Sequence, residues 1–226
     1  MMPGISAVAF DLDGTLYPNY SLNIRLLPFL VRHWRLMLAF GRARNIIRDE
    51  QARLSQPGVP NFYERQAQVV ARQLKMRDEE IREKIERLIY RGWEPIFLKI
   101  KPFAEVKEFL RDLKASGLKL GLLSDFPPET KLEYLGLSGV WDTALCTESI
   151  GALKPAALPF EELAKALGCP PEQILYVGNS SRYDVEGAKR AGMKAALLNP
   201  GFPVITGIKA DFTFRNYRQL RNLMLE

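Results

Sequence analysis

Three stretches of this chain share one pattern: a short, unbroken apolar run that ends in a polar cluster. Residues 7–10 run into Asp11, 118–123 into Ser124 and Asp125, and 174–177 into Gly178 and Asn179. An unbroken run of that length suits a strand buried on both faces, the situation of a parallel sheet. Two further candidates are 143–146 and 195–198, the latter ending at Asn199 and Pro200. Helical patterns fill the gaps at 104–116, 158–167 and 184–191. Each is followed by a glycine (Gly117, Gly168, Gly192), the expected stop signal. Strands alternating with helices predict an α/β fold with a doubly wound parallel sheet.

Residues 19–99 break that alternation. They hold no convincing strand and several helical stretches: one or two within 22–48, another over 61–75, and a third over 76–92. In the last of these Ile81, Ile85, Leu88 and Ile89 fall at helical spacing. The expected organisation is a catalytic core made of residues 1–18 plus 100–226, with a helical insertion over 19–99. Charge is divided in the same way. Residues 18–100 carry 16 Lys and Arg against 9 Asp and Glu, so the whole excess of the chain's net +6 lies in the insertion. Such a segment attracts nucleic acid, an anionic membrane or a phosphorylated metabolite, or is a solvated arginine-rich surface. Within it, 25–40 (RLLPFLVRHWRLMLAF) is too short and too interrupted by Arg32 and Arg35 to span a membrane. It suits either a basic amphipathic helix on a membrane surface or, as expected here, a helix packed inside the insertion.

Composition excludes several classes. With 47% hydrophobic and 26% charged residues the 226-residue chain is an ordinary globular sequence. His33 is the only histidine, so there is no histidine-rich zinc centre, nor a Ser-His-Asp triad built anywhere else. Cys146 and Cys169 lack metal-site spacing and are expected to be reduced thiols of a cytoplasmic protein. Residues 1–9 lead straight into the first strand pattern, without a signal-like stretch.

In an open parallel sheet, ligands bind beyond the carboxyl ends of the strands. Asp11, Asp13, Ser124 and Asp184 all follow apolar runs and can converge there. Any one of them alone reads as a cap or turn residue. Four together point to a site.

These residues also carry a family resemblance. DLDGTLY (Asp11–Tyr17) resembles the DxDGT signature of haloacid dehalogenase-like (HAD) phosphohydrolases. LLSD, ending at Ser124 and Asp125, resembles the second motif of that family; ESIGALKP, containing Lys154, resembles the third; VGNSSRYDVEGAKRAGM, from Val177, resembles the fourth. All four occur in the family's order. The resemblance implies a Rossmann-like core with a helical cap of the family's first class, and hydrolysis of a small phosphomonoester with Mg²⁺. Asp11 is then the nucleophile that forms an aspartyl-phosphate, and Asp13 the general acid and base. Lys154 balances charge, and Ser124 hydrogen-bonds a phosphoryl oxygen. Phosphate contacts are expected from Leu12, Asp13, Ser124, Asp125 and Lys154, and metal ligation from Asp11, Asp13, Asn179 and Asp184. Asp13 separates phosphate from halide chemistry, because dehalogenases of the family keep no acid there.

One position departs from the pattern. The fourth motif ordinarily has an aspartate after its glycine, and here Asn179 stands there. An amide oxygen ligates Mg²⁺ without neutralising it, which lowers metal affinity. Two alternatives therefore stay open: a phosphomutase with the same two aspartates, and a weakened regulatory protein that binds a phosphorylated ligand. The expected partner is a small phosphorylated metabolite, with no nucleic acid and no membrane span. Arg25, Arg32, His33 and Arg65 are candidates to reach the site from the insertion.

Overall fold

The computed structural model describes residues 2–54, 58–201 and 208–225. Six parallel strands form one sheet in the order β3-β2-β1-β4-β5-β6. The strands are β1 (Ala7–Phe10), β2 (Lys119–Ser124), β3 (Thr143–Cys146), β4 (Ile174–Gly178), β5 (Lys194–Leu198) and β6 (Phe212–Phe214). The order reverses at β1, between β2 and β4, so the crevice at the end of β1 is the switch point where this doubly wound α/β topology, of the Rossmann type, places ligands.

The unbroken apolar runs have the expected cause. Within β1, Val8 and Phe10 point to one face and Ala7 and Ala9 to the other, and all four are fully buried. On the first face, helices α6 (Val106–Ala115) and α11 (Tyr217–Leu225) pack Phe109, Leu113, Tyr217 and Leu220 against Val8, Phe10, Leu120 and Leu122. On the second, α9 (Ala157–Leu167) packs Phe160 and Leu163 against Ala7, Ala9 and Tyr176. Sheet position Gly121 lies under α9: a Cβ there would come within 3.0–3.1 Å of Leu167 and Leu163, tighter than packed side chains normally allow. The predicted glycine stops hold, and Gly117, Gly168 and Gly192 all sit at positive φ.

Between β1 and α6, every regular element among the described residues is helical. These are α1 (Asn19–Arg32), α2 (Trp34–Leu54), α3 (Phe62–Leu74), α4 (Asp78–Ile85) and a single α5 turn (Arg91–Trp93), with a π-helical turn (Glu86–Tyr90) before α5 and a 3₁₀ segment (Glu94–Lys99) after it. Leu36, Phe40 and Ala43 of α2, Val69 and Val70 of α3, and Ile81 and Ile85 of α4 make a separate apolar cluster. The pattern over 22–48 divides at His33, whose φ of −118° leaves the helical region between α1 and α2. The remaining elements are α7 (Glu129–Leu135), the short α8 (Thr147–Ile150) and α10 (Glu186–Arg190). Four elements went unread in the sequence: α7, α8, β6 and α11. A three-residue strand, Phe-Thr-Phe, offers too little alternation to register.

Candidate active site

The chain leaves β1 at Asp11, whose backbone N–H still donates to Val177 of β4, and turns sharply through Gly14 at φ +88°. A Cβ at Gly14 would collide with the side-chain amides of Asn179 and Asn19, so the loop carrying Asp11 and Asp13 is pressed against the loop after β4. That close approach requires glycine.

Asp11, Lys154 and Asp184 form a buried triad. Lys154 Nζ lies 2.6 Å from Asp11 Oδ1 and 2.8 Å from Asp184 Oδ1. The second oxygen of Asp11 accepts from Thr15 Oγ1 at 2.7 Å. The second oxygen of Asp184 accepts the backbone N–H groups of Asn179 (3.1 Å) and Ser180 (2.9 Å). Burial pushes the Asp11 carboxyl upward, Lys154 opposes this, and Asp184 and Asp13 add to it. Burial alone would lower the Lys154 ammonium; the carboxylates of Asp11 and Asp184 outweigh it and hold Lys154 well above the usual lysine range. One cation thus contacts both carboxylates and offsets part of the cost of burying them side by side.

Asp13 projects from the same loop and is only partly buried. Its carboxylate accepts from Lys131 Nζ at 2.8 and 2.9 Å and from the hydroxyl of Tyr17. Lys131, from α7, passes over the rings of Phe97 and Phe126, each 5.1 Å from its ammonium. Ser124 ends β2 fully buried, with its Oγ accepting the N–H of Phe126 at 3.2 Å. The side chain of Leu12 belongs to the apolar core, which leaves only its backbone to the loop.

Asp125 is engaged elsewhere. Its carboxylate meets Arg48 at 2.8 Å, Arg44 at 3.3 Å and Thr147 Oγ1 at 2.8 Å. Burial would raise it, but Arg44, Lys154 and Arg48 hold it down to about 2. Both arginines come from α2, one turn apart. Arg44 also pairs with the buried Glu148, and Arg48 donates to the carbonyl of Lys154 at 2.9 Å while its guanidinium lies over Tyr183, 4.5 Å from the ring centroid. Of the four insertion candidates, Arg25 and Arg32 are exposed, and Arg65 pairs with Glu50. His33 stacks on Phe29. Arg44 and Arg48 reach the core in their place. An Arg-x-x-x-Arg spacing in a stretch without acids was the available signal, since i and i+4 share a helix face. Lys131 and Thr15 were also missed as site neighbours; for Lys131 no local pattern exists.

Beside Lys131 lies a cavity of about 40 Å³ lined by Trp93, Phe97, Phe126 and Thr130. It shares Tyr90, Glu94, Pro127 and Thr130 with a larger cleft of about 900 Å³ reaching Gln66 and Arg91. Trp93 Nε1 and Gln66 Oε1 are buried there without a hydrogen-bond partner among the described residues. Orphaned polar atoms of this kind commonly await water or a ligand.

The donors near Asp11 suit Mg²⁺ in type: the Asp11 carboxylate, the Asp13 carbonyl and the Asn179 amide, all hard oxygen atoms. Asn179 is held against the Asp11–Gly14 loop and its side chain has no hydrogen bond among the described residues, so its oxygen is available. Among the described residues, no cluster of three or more His, Cys, Asp or Glu forms a conventional metal site. The set fits with one carboxylate where two are usual.

Residues 5–192 match the family described as haloacid dehalogenase-like hydrolase. The chain belongs to this family. It is 28% identical over 203 residues to the glyceraldehyde 3-phosphate phosphatase of Methanothermobacter thermautotrophicus, covering 86% of each chain. Over 106 residues it is 35% identical to haloacetate dehalogenase H-2 of Moraxella sp. (strain B), covering 46% of this chain and 47% of that one. The crystal structure of a HAD phosphatase from Thermococcus onnurineus superposes with a TM-score of 0.65 at 21% identity, covering 98% of both chains, a likeness of fold. As a HAD-like hydrolase the chain is an enzyme of α/β, Rossmann-like architecture, and no helix among its described residues is long and apolar enough to cross a membrane.

Proposed function

We propose that this HAD-like hydrolase is a phosphatase acting on a small phosphomonoester, with Asp11 as nucleophile and residues 19–99 as a cap over the core formed by 1–18 and 100–226. The observation that carries this reading is Asp13. A second carboxylate stands two residues from the nucleophile, partly open and steered by Lys131 and Tyr17. Loss of halide requires no proton, whereas an alkoxide leaving group does. A relative that matches over most of both chains is likewise named a phosphatase.

In the first step an Asp11 oxygen attacks phosphorus, the ester P–O bond breaks, and Asp13 gives its proton to the departing oxygen. In the second, Asp13 takes a proton from water, the water oxygen attacks the aspartyl-phosphate, and inorganic phosphate leaves with Asp11 restored. Thr15 and Lys154 fix the Asp11 carboxylate from both sides. Ser124 and the backbone N–H groups from Leu12 to Gly14 receive phosphoryl oxygens, and Asp125 contributes its backbone alone, because its carboxylate is held by Arg44 and Arg48. Asp11, the Asp13 carbonyl and Asn179 would hold Mg²⁺, which would supply positive charge beside the phosphoryl group. Asp184 acts through Lys154 and the Asn179 amide as a positioning residue. The leaving group departs on the Asp13 and Lys131 side, where the small cavity adjoins the cleft of about 900 Å³. The free thiols of Cys146 and Cys169 support a cytoplasmic location for the enzyme.

The test is hydrolysis of p-nitrophenyl phosphate, with chloroacetate as a competing substrate class. Phosphate release is expected with Mg²⁺ and lost with EDTA; Asp11→Asn abolishes it, and Asp13→Asn lowers it by about 10²–10⁴. Halide release at a rate exceeding phosphate release would overturn the reading. A separate expectation concerns Asn179→Asp. The added charge lowers the Mg²⁺ concentration giving half-maximal activity by about tenfold. An unchanged value would place Asn179 away from the metal.

A second reading has one observation behind it: Asn179 favours a weakened enzyme that retains phosphorylated ligands. That reading requires tight phosphate-ester binding, seen by calorimetry, without turnover.

A further inference from the structure

Helices α1 and α2 present an apolar stripe to solvent. Tyr20, Ile24, Leu27, Val31, Trp34 and Leu38 follow one another at alternating spacings of four and three residues, and each is 51–68% exposed. That spacing keeps Tyr20, Ile24, Leu27 and Val31 on one side of α1, and Trp34 and Leu38 on one side of α2 beyond the break at His33. The inward side is already filled: Leu26 of α1 and Leu36, Ala39, Phe40 and Ala43 of α2 are buried. Packing inside the insertion and a free apolar face thus coexist in the same two helices. A surface of large apolar side chains this long is unusual for a face that meets only water. Leu98, on the 3₁₀ segment that contacts α1, is another at 63% exposure.

The charge around the stripe is of one sign. No Asp or Glu occurs from residue 14 to residue 48. Arg25, Arg32, Arg35 and Arg42 are all exposed, and none forms an ion pair among the described residues; Arg25 only donates to Ser21 of its own helix. A second copy of this chain is a poor occupant. A two-fold pairing sets the same patch against itself, and the positions flanking the stripe offer those arginines no acid. An occupant that is apolar beneath and negatively charged above satisfies both features. The geometry points to an anionic lipid bilayer: α1 and the start of α2 lie in the headgroup region, with the stripe toward the acyl chains, Tyr20 and Trp34 at the polar boundary, and the arginines against lipid phosphates. Occupation of this surface does not depend on the reaction assigned to the crevice at Asp11.

The experiment is flotation of the full chain with phosphatidylcholine vesicles, with and without phosphatidylserine, at low and high salt. Binding is expected to the anionic vesicles only, and salt reverses it. Trp34 emission shifts to the blue on binding. In Trp34→Phe that shift disappears while flotation persists, a readout free of any folding defect. Leu27→Glu and Val31→Glu each lower vesicle binding by at least about tenfold. Arg32→Ser and Arg35→Ser lower it about fivefold per charge removed. These four variants keep wild-type hydrolysis of p-nitrophenyl phosphate. Equal binding to neutral vesicles, no binding to anionic ones, or undiminished flotation of Leu27→Glu would overturn the assignment. So would a wild-type dimer that Leu27→Glu turns into a monomer while vesicles are ignored.

Discussion

Lys154→Met is expected to lower turnover at least about a thousandfold and to cost roughly 3–5 kcal/mol of stability. Both effects follow from one position. Lys154 is 3% exposed and bonds Asp11 and Asp184 at once. Without its ammonium two buried carboxylates face each other, and the protein must either bind a proton or open. In turnover, Asp11, the proposed nucleophile, loses the cation that favours its ionised form and lets it approach an anionic phosphate. Steady-state kinetics and urea denaturation read the two effects separately. A double variant, Lys154→Met with Asp184→Asn, removes one stranded charge and is expected to recover part of the stability and none of the turnover. Turnover within about tenfold of wild type in Lys154→Met would remove the lysine from the reaction.

How far this site could be read from the sequence depends on where each residue sits relative to a strand. Asp11, Ser124 and Asn179 stand at or next to the ends of β1, β2 and β4, so an apolar run announces each of them. Asp184 follows its run at a greater distance and Lys154 follows none, and both were legible through motif resemblance. Lys131 carried no local signal, and Arg44 only its i, i+4 spacing with Arg48. Each lies on a helix whose sequence position says nothing about which loop it will meet, and each acts across a tertiary contact. Lys131 reaches Asp13 118 positions away, and Arg44 reaches Glu148 104 positions away. Fold legibility divides in the same way. β1, β2 and β4 are buried runs in the middle of the sheet, whereas β6 is a three-residue edge strand whose register depends on β5. The role of Asp125 is the clearest case of tertiary override. Its neighbour Ser124 is a proposed phosphate contact, yet two arginines of α2 claim the aspartate.

That claim leads to the second large effect. Arg44→Met is expected to cost about 3–5 kcal/mol, because it leaves Glu148 buried and unpaired. The Glu148 side chain is wholly buried, and it accepts from Tyr90 as well as from Arg44. Burial pushes the Glu148 carboxyl upward, while Arg44 and Tyr90 oppose it. Arg44 also contacts the Asp125 carboxylate and lies 4.3 Å from the Phe126 ring centroid. Helix α2 is thereby fastened to the loops after β2 and β3, at the carboxyl end of the sheet. Removing the guanidinium strands one charge and loosens a second, whereas removing both partners strands neither. Arg44→Met with Glu148→Leu should therefore recover most of the loss, since apolar replacements of buried ion pairs are often neutral. Neither side chain touches Asp11, so turnover of the double variant stays within about tenfold of wild type at saturating substrate, while the urea midpoint of the single variant falls. If the double variant is as unstable as the single one, the cost arises from lost packing around Phe126 and the stranded charge on Glu148 is not its source.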